Sequence, residues 1–391
     1  MIDESNPKES GLVPAANNAL TTRSSALVRR GLESLAARQP RIVRFPSDHS
    51  LGQYIIFDRD AVPSVASVSS WFDGSTRSEK KPIEEARGSI VLSPGQVLCV
   101  KLNDSASDDM STLSNINPDA FHTILLDKGF TDRELVRLQH FNGLVGLRLT
   151  SNITDAGLVH IRELPTLQDL SLRQTKITDK GLIHLKGKTG LQVLDLSDTE
   201  ITGTGLENVG GLIELQAVYL SSTRVSNKEL KYLQNLSNLR RLFLRDTNIS
   251  DAGLEYLQNL LNLETLDLFD TEISNEGMKY VRSLANLSWL SLGYTEVSDE
   301  GIGFLQSLSK LGFLSLRFTK IHDKGLMYLQ SLSNLWWVTL RGTDISDDGL
   351  KYLQNLSKLK ILDLRETKVT EKGLGQIKQA LPSCTLNWDI V

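Results

Sequence analysis

Apolar positions along most of this chain recur with a period of 24 residues, from about Leu144 to Ala380. The stretches LQDLSLRQTKITDKGLIHLKGKTG (167–190), LRRLFLRDTNISDAGLEYLQNLLN (239–262) and LKILDLRETKVTEKGLGQIKQA (359–380) align without gaps. The consensus unit has leucine at positions 1, 4, 6, 16, 19 and usually 22, threonine at 9, isoleucine at 11, Ser or Thr at 12, an acid at 13 and glycine at 15. Ten copies fit, the first one residue short. A weaker copy, AFHTILLDKGFTDRELVRLQHFNG (120–143), precedes them, and a truncated one, LPSCTLNW (381–388), follows.

The spacing predicts two elements per unit. Positions 1, 4 and 6 combine a short period-two strand with an inward turn, so their leucines point to one side. Position 11 closes the core beneath the turn. The hydroxyl residue at 12 reads as a helix N-cap, and the acid at 13 as a complement to the positive end of the helix dipole. Positions 16, 19 and 22 then share one face of a short helix. A single strand–helix unit cannot bury its own apolar face, but a stack can. Threonine at position 9 recurs from Thr175 to Thr367 and is read as a structural ladder that pairs backbone groups where the strand turns. Glycine at 15, with Glu229 the exception, is read as room for close packing of neighbouring units.

This pattern, L..L.L..T.ITD.GL..L, resembles the leucine-rich repeat family, in the form seen in bacterial internalin-like proteins and in F-box adaptors, where cysteine replaces the ninth-position threonine. The resemblance covers about two thirds of the chain. It implies an α/β solenoid, a horseshoe with a parallel sheet on the concave side and short helices on the convex side.

The remainder is organised differently. Residues 1–40 are polar and irregular, with one candidate amphipathic helix at ALVRRGLESLAAR (26–38). Residues 41–102 contain short β-rich runs separated by Gly, Pro, Ser and Asp, which predict a small β-rich domain with Cys99 as a buried thiol. Residues 103–119 read as a linker, 120–143 as an N-terminal cap repeat, 144–380 as the ten repeats and 381–391 as a C-terminal cap with Cys384 in its core.

A net charge of -4 over 391 residues gives no drive toward nucleic acid. The polar N-terminus lacks the basic start and apolar core of a signal peptide, and no run approaches a membrane span, so a cytoplasmic protein that does not engage a membrane is expected. Two distant cysteines and six scattered histidines offer no metal-ligand spacing, and no cofactor motif is present. The GKT at 187–189 follows a helix instead of opening one, with one residue too many after Gly181 for a phosphate loop. The chain is therefore read as non-enzymatic. An enzyme would need its chemistry in 41–102.

Positions 2, 3, 5, 7 and 8 face away from the core on the strand side. In the N-terminal units they hold mostly small or polar residues. In the C-terminal units they hold Trp289, Tyr294, Phe313, Phe318, Trp336 and Trp337, with Arg317, Arg341 and Arg365 in successive units at position 7, and Tyr219, Phe243 and Phe269 lead up to this set of nine. Stacked like charges repel unless offset, by Asp363 and Glu366 internally or by an acid on a partner. Rings interleaved with arginine match the composition of binding hot spots, and exposed ring patches are uncommon on monomers. The expected function is a protein–protein interaction scaffold that binds a protein or peptide, with an acidic feature, through these nine residues. Self-packing of the rings, or their cover by the N-terminal domain, is the structural alternative. A carbohydrate-binding module that stacks sugars on the rings is another function, as is a substrate-recognition adaptor of a ubiquitin-ligase-like complex, although no F-box helix set precedes the repeats.

Overall fold

The computed structural model describes residues 41–62, 64, 83–108 and 113–389. The helix expected at 26–38 and most of the strand-like run SVASVSSWF (64–72) lie outside the described residues. Two compact units divide the chain, Met1–Ser171 and Leu172–Val391. Each is taken by itself.

In the first unit, strands coincide with the β-rich runs RIVRF, LGQYIIFD, GSIVLS and QVLCVKL. The strands of this unit are β1 (Arg41–Arg44), β2 (Gly52–Asp58), β3 (Glu84–Glu85), β4 (Ser89–Leu92) and β5 (Gln96–Leu102), followed by β6 (Phe121–Leu126), β7 (Gly146–Arg148) and β8 (Asp169–Ser171). β1 and β4 make an antiparallel ribbon. β2 lies antiparallel to both β3 and β5. β5 to β8 then pair in parallel, so the strand-rich segment and the cap repeat share one sheet. A helix at Asp104–Asp108 occupies part of the stretch that reads as linker. Cys99 is fully buried beside Ile55, Phe57, Val97 and Leu125.

His122, on β6, is held neutral. Burial, with Arg59 adding to it, pushes the imidazole down to about 4, and its Nδ1 lies 3.0 Å from the Thr123 hydroxyl. An unfolded chain takes up this proton near pH 6.5, whereas the folded one resists until about 4. Stability is therefore lost as pH falls through that window, by up to about 3 kcal/mol. Urea unfolding followed by hydrogen exchange at β6 should show this slope in the wild type and a flatter one in His122→Gln. An equal slope in both would assign the loss to other groups.

The second unit is a parallel sheet of nine three-residue strands in sequence order: β9 (Val193–Asp195), β10 (Ala217–Tyr219), β11 (Arg241–Phe243), β12 (Thr265–Asp267), β13 (Trp289–Ser291), β14 (Phe313–Ser315), β15 (Trp337–Thr339), β16 (Ile361–Asp363) and β17 (Thr385–Asn387). From β9 to β16 each strand spans positions 3 to 5 of its repeat, and equal positions pair, as in Val218↔Leu242 and Leu314↔Val338. The chain returns through short helices, some 3-10 (Gly181–Leu185, Asn227–Tyr232) and some α (Asn275–Val281, Glu371–Ala380). Leucines at 1, 4 and 6 are buried throughout. The fold is an α/β solenoid of leucine-patterned repeats.

Threonine at position 9 acts as its placement predicts. From Thr175 to Thr367, all nine hydroxyls donate to the carbonyl three residues earlier at 2.5 to 2.6 Å. That bond closes a turn whose middle residue, position 8, has a positive φ in every repeat from Gln174 to Glu366. Asp, Ser or Gly suits such a site, whereas Tyr294 and Phe318 hold it at a cost of about 1 kcal/mol each.

Positions 12 and 13 do something the helix-cap reading misses. The side chain at 13 reaches forward into the next repeat. Asp251 accepts the Ser274 N–H at 2.7 Å and the Ser274 hydroxyl at 2.6 Å. Asp323 does the same to Ser346, and Asp347 to Thr370. Asn275 substitutes by accepting the Ser298 N–H and donating to its hydroxyl. Burial is the largest single influence on Asp179 and would raise its pKa. The hydroxyls of Thr202 and Thr204 and the N–H groups of Gly203 and Gly205 together carry it below the ordinary carboxylate value instead. Glycine at 15 leaves the space these carboxylates fill, since a Cβ on Gly277 would lie 2.5 Å from Asp251 Oδ1.

Candidate interaction site

Strand alternation turns positions 3 and 5 outward, and the β12–β16 registers set equal positions side by side. Position 3 therefore aligns Trp289, Phe313 and Trp337 across three neighbouring strands. Trp289 and Phe313 stack with centroids 4.6 Å apart and planes 5° off parallel. Rings lying flat on the sheet would interpenetrate at that distance, so these two stand upright with their edges outward. Phe313 meets Trp337 edge-on at 5.1 Å and 85°, and Trp337 meets Trp336 at 5.8 Å. Trp336 itself lies against Gly312, where a Cβ would come within 2.7 Å of the indole. At the other end Phe243 contacts Trp289 and stacks on Tyr219 at 4.6 Å. Each ring covers its neighbour, leaving Phe313 only 8% exposed and both Trp336 and Trp337 half-buried.

A second row forms at positions 7 and 8. Phe269 meets Tyr294 edge-on at 5.1 Å, and Tyr294 packs on Phe318 at 4.5 Å. Two guanidiniums bracket Phe269, Arg245 at 4.2 Å and Arg317 at 4.3 Å from its centroid. Arg341 lies 5.7 Å from Phe318. Such cation–π contacts hold a guanidinium's plane while leaving its N–H edge outward. Tyr294 stays 47% exposed and Phe269 only 7%. Phe269 and the pair Arg245 and Phe243 belong to this surface but lie outside the nine residues the sequence singles out. Phe243 and Phe269, with Tyr219, lead up to those nine in the sequence, whereas Arg245 was not marked.

The arginine column is offset from within. Arg365 makes a two-point pair with Asp363, Nε to Oδ1 at 2.9 Å and Nη2 to Oδ2 at 2.7 Å. Arg341 reaches Glu366 of the next repeat at 2.6 Å. Position 5 between the two rows is deep: Ser291, Ser315 and Thr339 are 5%, 5% and 8% exposed. Asp267 lies at one end of this floor. Burial pushes its carboxyl up, against the pull of the Phe269 N–H, the Ser291 hydroxyl, Arg245 and Arg317.

Among the described residues no group of three or more His, Cys, Asp or Glu is placed to hold a metal ion. No helix among them is long and apolar enough to cross a membrane. What the surface offers is recognition by rings, hydroxyls and guanidiniums.

A family profile described as "Leucine-rich repeat region" matches residues 214–386, and one described as "Leucine Rich repeat" matches 163–185 and 188–210. A search among curated proteins found no match. Among solved structures, the chain is similar to an internalin from Listeria monocytogenes, at 18% identity and a TM-score of 0.47, covering 67% of this chain and 89% of that one. It is also similar to internalin C2 from the same organism, at 24% identity and a TM-score of 0.40, covering 53% and 84%.

Proposed function

Because the chain is a leucine-rich repeat protein, we propose that it is a non-enzymatic scaffold whose partner is a protein or peptide seated on the sheet face of the C-terminal repeats. Families built on this scaffold generally bind proteins and are generally non-enzymatic. The observation that carries the finer reading is the double row of rings, several of them half-buried, on the outward side of β10–β15. Rings there could have been replaced by small polar residues at no cost to the leucine core, as in the units before Tyr219. Trp289, Phe313, Trp336 and Trp337 would supply apolar anchors, with Tyr294, Phe318, Arg317, Arg341 and Arg365 along one side. An acidic feature on the partner would suit the arginines. Sugar stacking has less support, since a sugar needs a broad ring face, and Trp289 and Phe313 spend theirs on each other.

The test is a triple variant, Phe313→Ala, Trp336→Ala and Trp337→Ala, compared with the intact chain as immobilised bait. The three sites lie outside the leucine core, so far-UV circular dichroism should be unchanged. Proteins retained by the wild type should fall at least tenfold on the variant. Equal retention by a folded triple variant would place the binding surface elsewhere.

A further inference from the structure

The two rows and the floor between them make a trough that runs across the strands. Trp289, Phe313 and Trp337 form one wall, and Ser291, Ser315 and Thr339 the floor. The rings of that wall are not evenly disposed. Trp289 and Phe313 are closed against each other at 4.6 Å, whereas Trp337 stands at 85° to Phe313, so a corner opens between those two. The wall therefore has two features, the stack and the turned indole. Trp289 and Trp337 mark them at the same repeat position, two strands apart. Two strand spacings are about 9.6 Å.

A ligand lying along the trough has to match that interval. One turn of polyproline II takes three residues and about 9.3 Å, so residues three apart would meet both features in register. A β-strand presents same-side residues every 6.7 Å or about that, which falls out of step with rows set by the sheet.

The hydrogen-bonding chemistry points the same way. In the repeats of β13, β14 and β15 the outward positions 2, 3, 5, 7 and 8 hold no Asp or Glu. Their tryptophans and arginines can only donate. On the floor, Thr339 donates to Asp363 and Ser291 to Asp267, and Ser315 is only 5% exposed. On the flanking repeats Asp267 also takes the Phe269 N–H, Asp363 takes Arg365 and Glu366 takes Arg341. An ordinary extended segment brings one amide N–H per residue, and burying it here sets donors against donors. Proline brings a carbonyl and an apolar ring but no N–H.

We infer that the partner's contacting segment is proline-rich and lies across β13–β15 in polyproline II form, with prolines three residues apart against the Trp289–Phe313 stack and against Trp337. Its carbonyls face the donors of the trough and open water, and its stiffness limits the entropy lost on binding. This inference rests on the interaction face proposed above, and adds the form and composition of the partner.

The probe is an array of synthetic dodecapeptides with prolines three apart and random residues between. Each has one twin with alanine at the prolines and another with the prolines two apart. Labelled full-length chain should bind the parents about tenfold more strongly than the alanine twins, which restore the amides, and about fivefold more strongly than the respaced ones. Trp337→Leu keeps an apolar side chain but removes the turned ring, and should bring all three to within about twofold. Far-UV circular dichroism should be unchanged, because Trp337 lies outside the leucine core; Trp289→Leu takes its place if it is not. Equal binding of parents and alanine twins by the wild type, no preference for the three-residue spacing, a preference that survives the ring's removal in a folded variant, or an array with no bound peptide would each overturn the inference. If the Phe313, Trp336 and Trp337 triple variant still lost its retained proteins in those cases, the face itself would stand and only the proline-rich form would fall. If it kept them, both would fall.

Discussion

Replacing Asp251 with alanine is expected to cost the second unit about 3 kcal/mol, while replacing it with asparagine should cost less than about 1. Asp251 receives both the amide and the hydroxyl of Ser274, the residue that opens the next repeat's helix at Asn275–Val281. Each hydrogen bond to a charged acceptor contributes roughly 1.5–3 kcal/mol, and alanine leaves the half-buried Ser274 N–H without its acceptor. Asparagine keeps the geometry, as Asn227 and Asn275 already do toward Ser250 and Ser298. A helix-dipole role for the acid makes a different prediction, since asparagine would then forfeit the charge as completely as alanine. Differential scanning calorimetry separates the two. For a unit of this size, alanine should lower the midpoint by roughly 10 °C and asparagine by 3 °C or less. Equal losses would return position 13 to the dipole account. Because stability in a solenoid is carried between neighbours, the opening should begin at the junction of the repeats that hold Asp251 and Ser274, visible as faster hydrogen exchange at Ser274 and Glu276.

Acid should act on the same ladder. The carboxyls of Asp179 and Asp347 are held below their ordinary values, so the stability they add is present at neutral pH. It is lost as pH falls from the unfolded carboxylate range through the lowered folded values.

Why was so much of the array readable from residue order, and so little of its fine structure? The leucine positions, the strand in each unit and the hydroxyl bond of Thr175 through Thr367 all depend on residues within one repeat, so a 24-residue window contains them. Ladder bonds run between repeats. Asp251 and Ser274 are 23 residues apart, and the N-cap that Ser274 makes to the Glu276 N–H, legible within one repeat, does not reveal that the repeat before also holds it. The outward placement of Trp336 and Trp337 followed from Leu335, Val338 and Leu340, which take the inward first, fourth and sixth positions of the repeat around them. Their depth did not, because it depends on the ring one strand away: Phe313 is covered by Trp289 on one side and Trp337 on the other. Asp363 and Glu366 were visible as candidate partners for the arginines. Which arginine takes which acid follows from a one-strand offset, Arg341 reaching forward to Glu366 and Arg365 back along its own turn to Asp363. Phe269 was visible as a lead-in to the patch but its bracket was not, since that comes from Arg245 one strand before and Arg317 two strands after. Four of the β-rich runs of 41–102 coincide with strands among the described residues, but the pairing of β5 with β6 is a long-range fact that no composition shift records.

The lone departure from glycine at position 15 leads to the largest effect predicted here. Glu229 stands where every other repeat has glycine, and the preceding repeat carries Gly203 where the others carry Asp, Asn or, in the last, Glu. The two changes face each other: a Cβ on Gly203 would lie 2.7 Å from the Glu229 Cβ. Carboxylate and gap have exchanged places, and Glu229 takes the Ser226 hydroxyl at 2.6 Å in place of the missing forward-reaching acid. The same exchange should be transferable to Asp251 and Gly277. Gly277→Glu alone puts a Cβ 2.5 Å from Asp251 Oδ1 and a second carboxylate beside the first, so it should destabilise by roughly 4 kcal/mol or more. Asp251→Gly alone should lose about 3 kcal/mol through the unmade bonds to Ser274. Combined, Asp251→Gly with Gly277→Glu recreates the arrangement of Gly203 and Glu229 and should return to within about 1.5 kcal/mol of wild type. The coupling between the sites would then be at least about 5 kcal/mol, the signature of two residues sharing one space. Urea unfolding of the four proteins measures it directly. Additive losses would mean that the exchange at Gly203 and Glu229 is tolerated for reasons peculiar to that junction. Recovery would show that each junction is closed by one carboxylate and one gap, and that either repeat can supply either part.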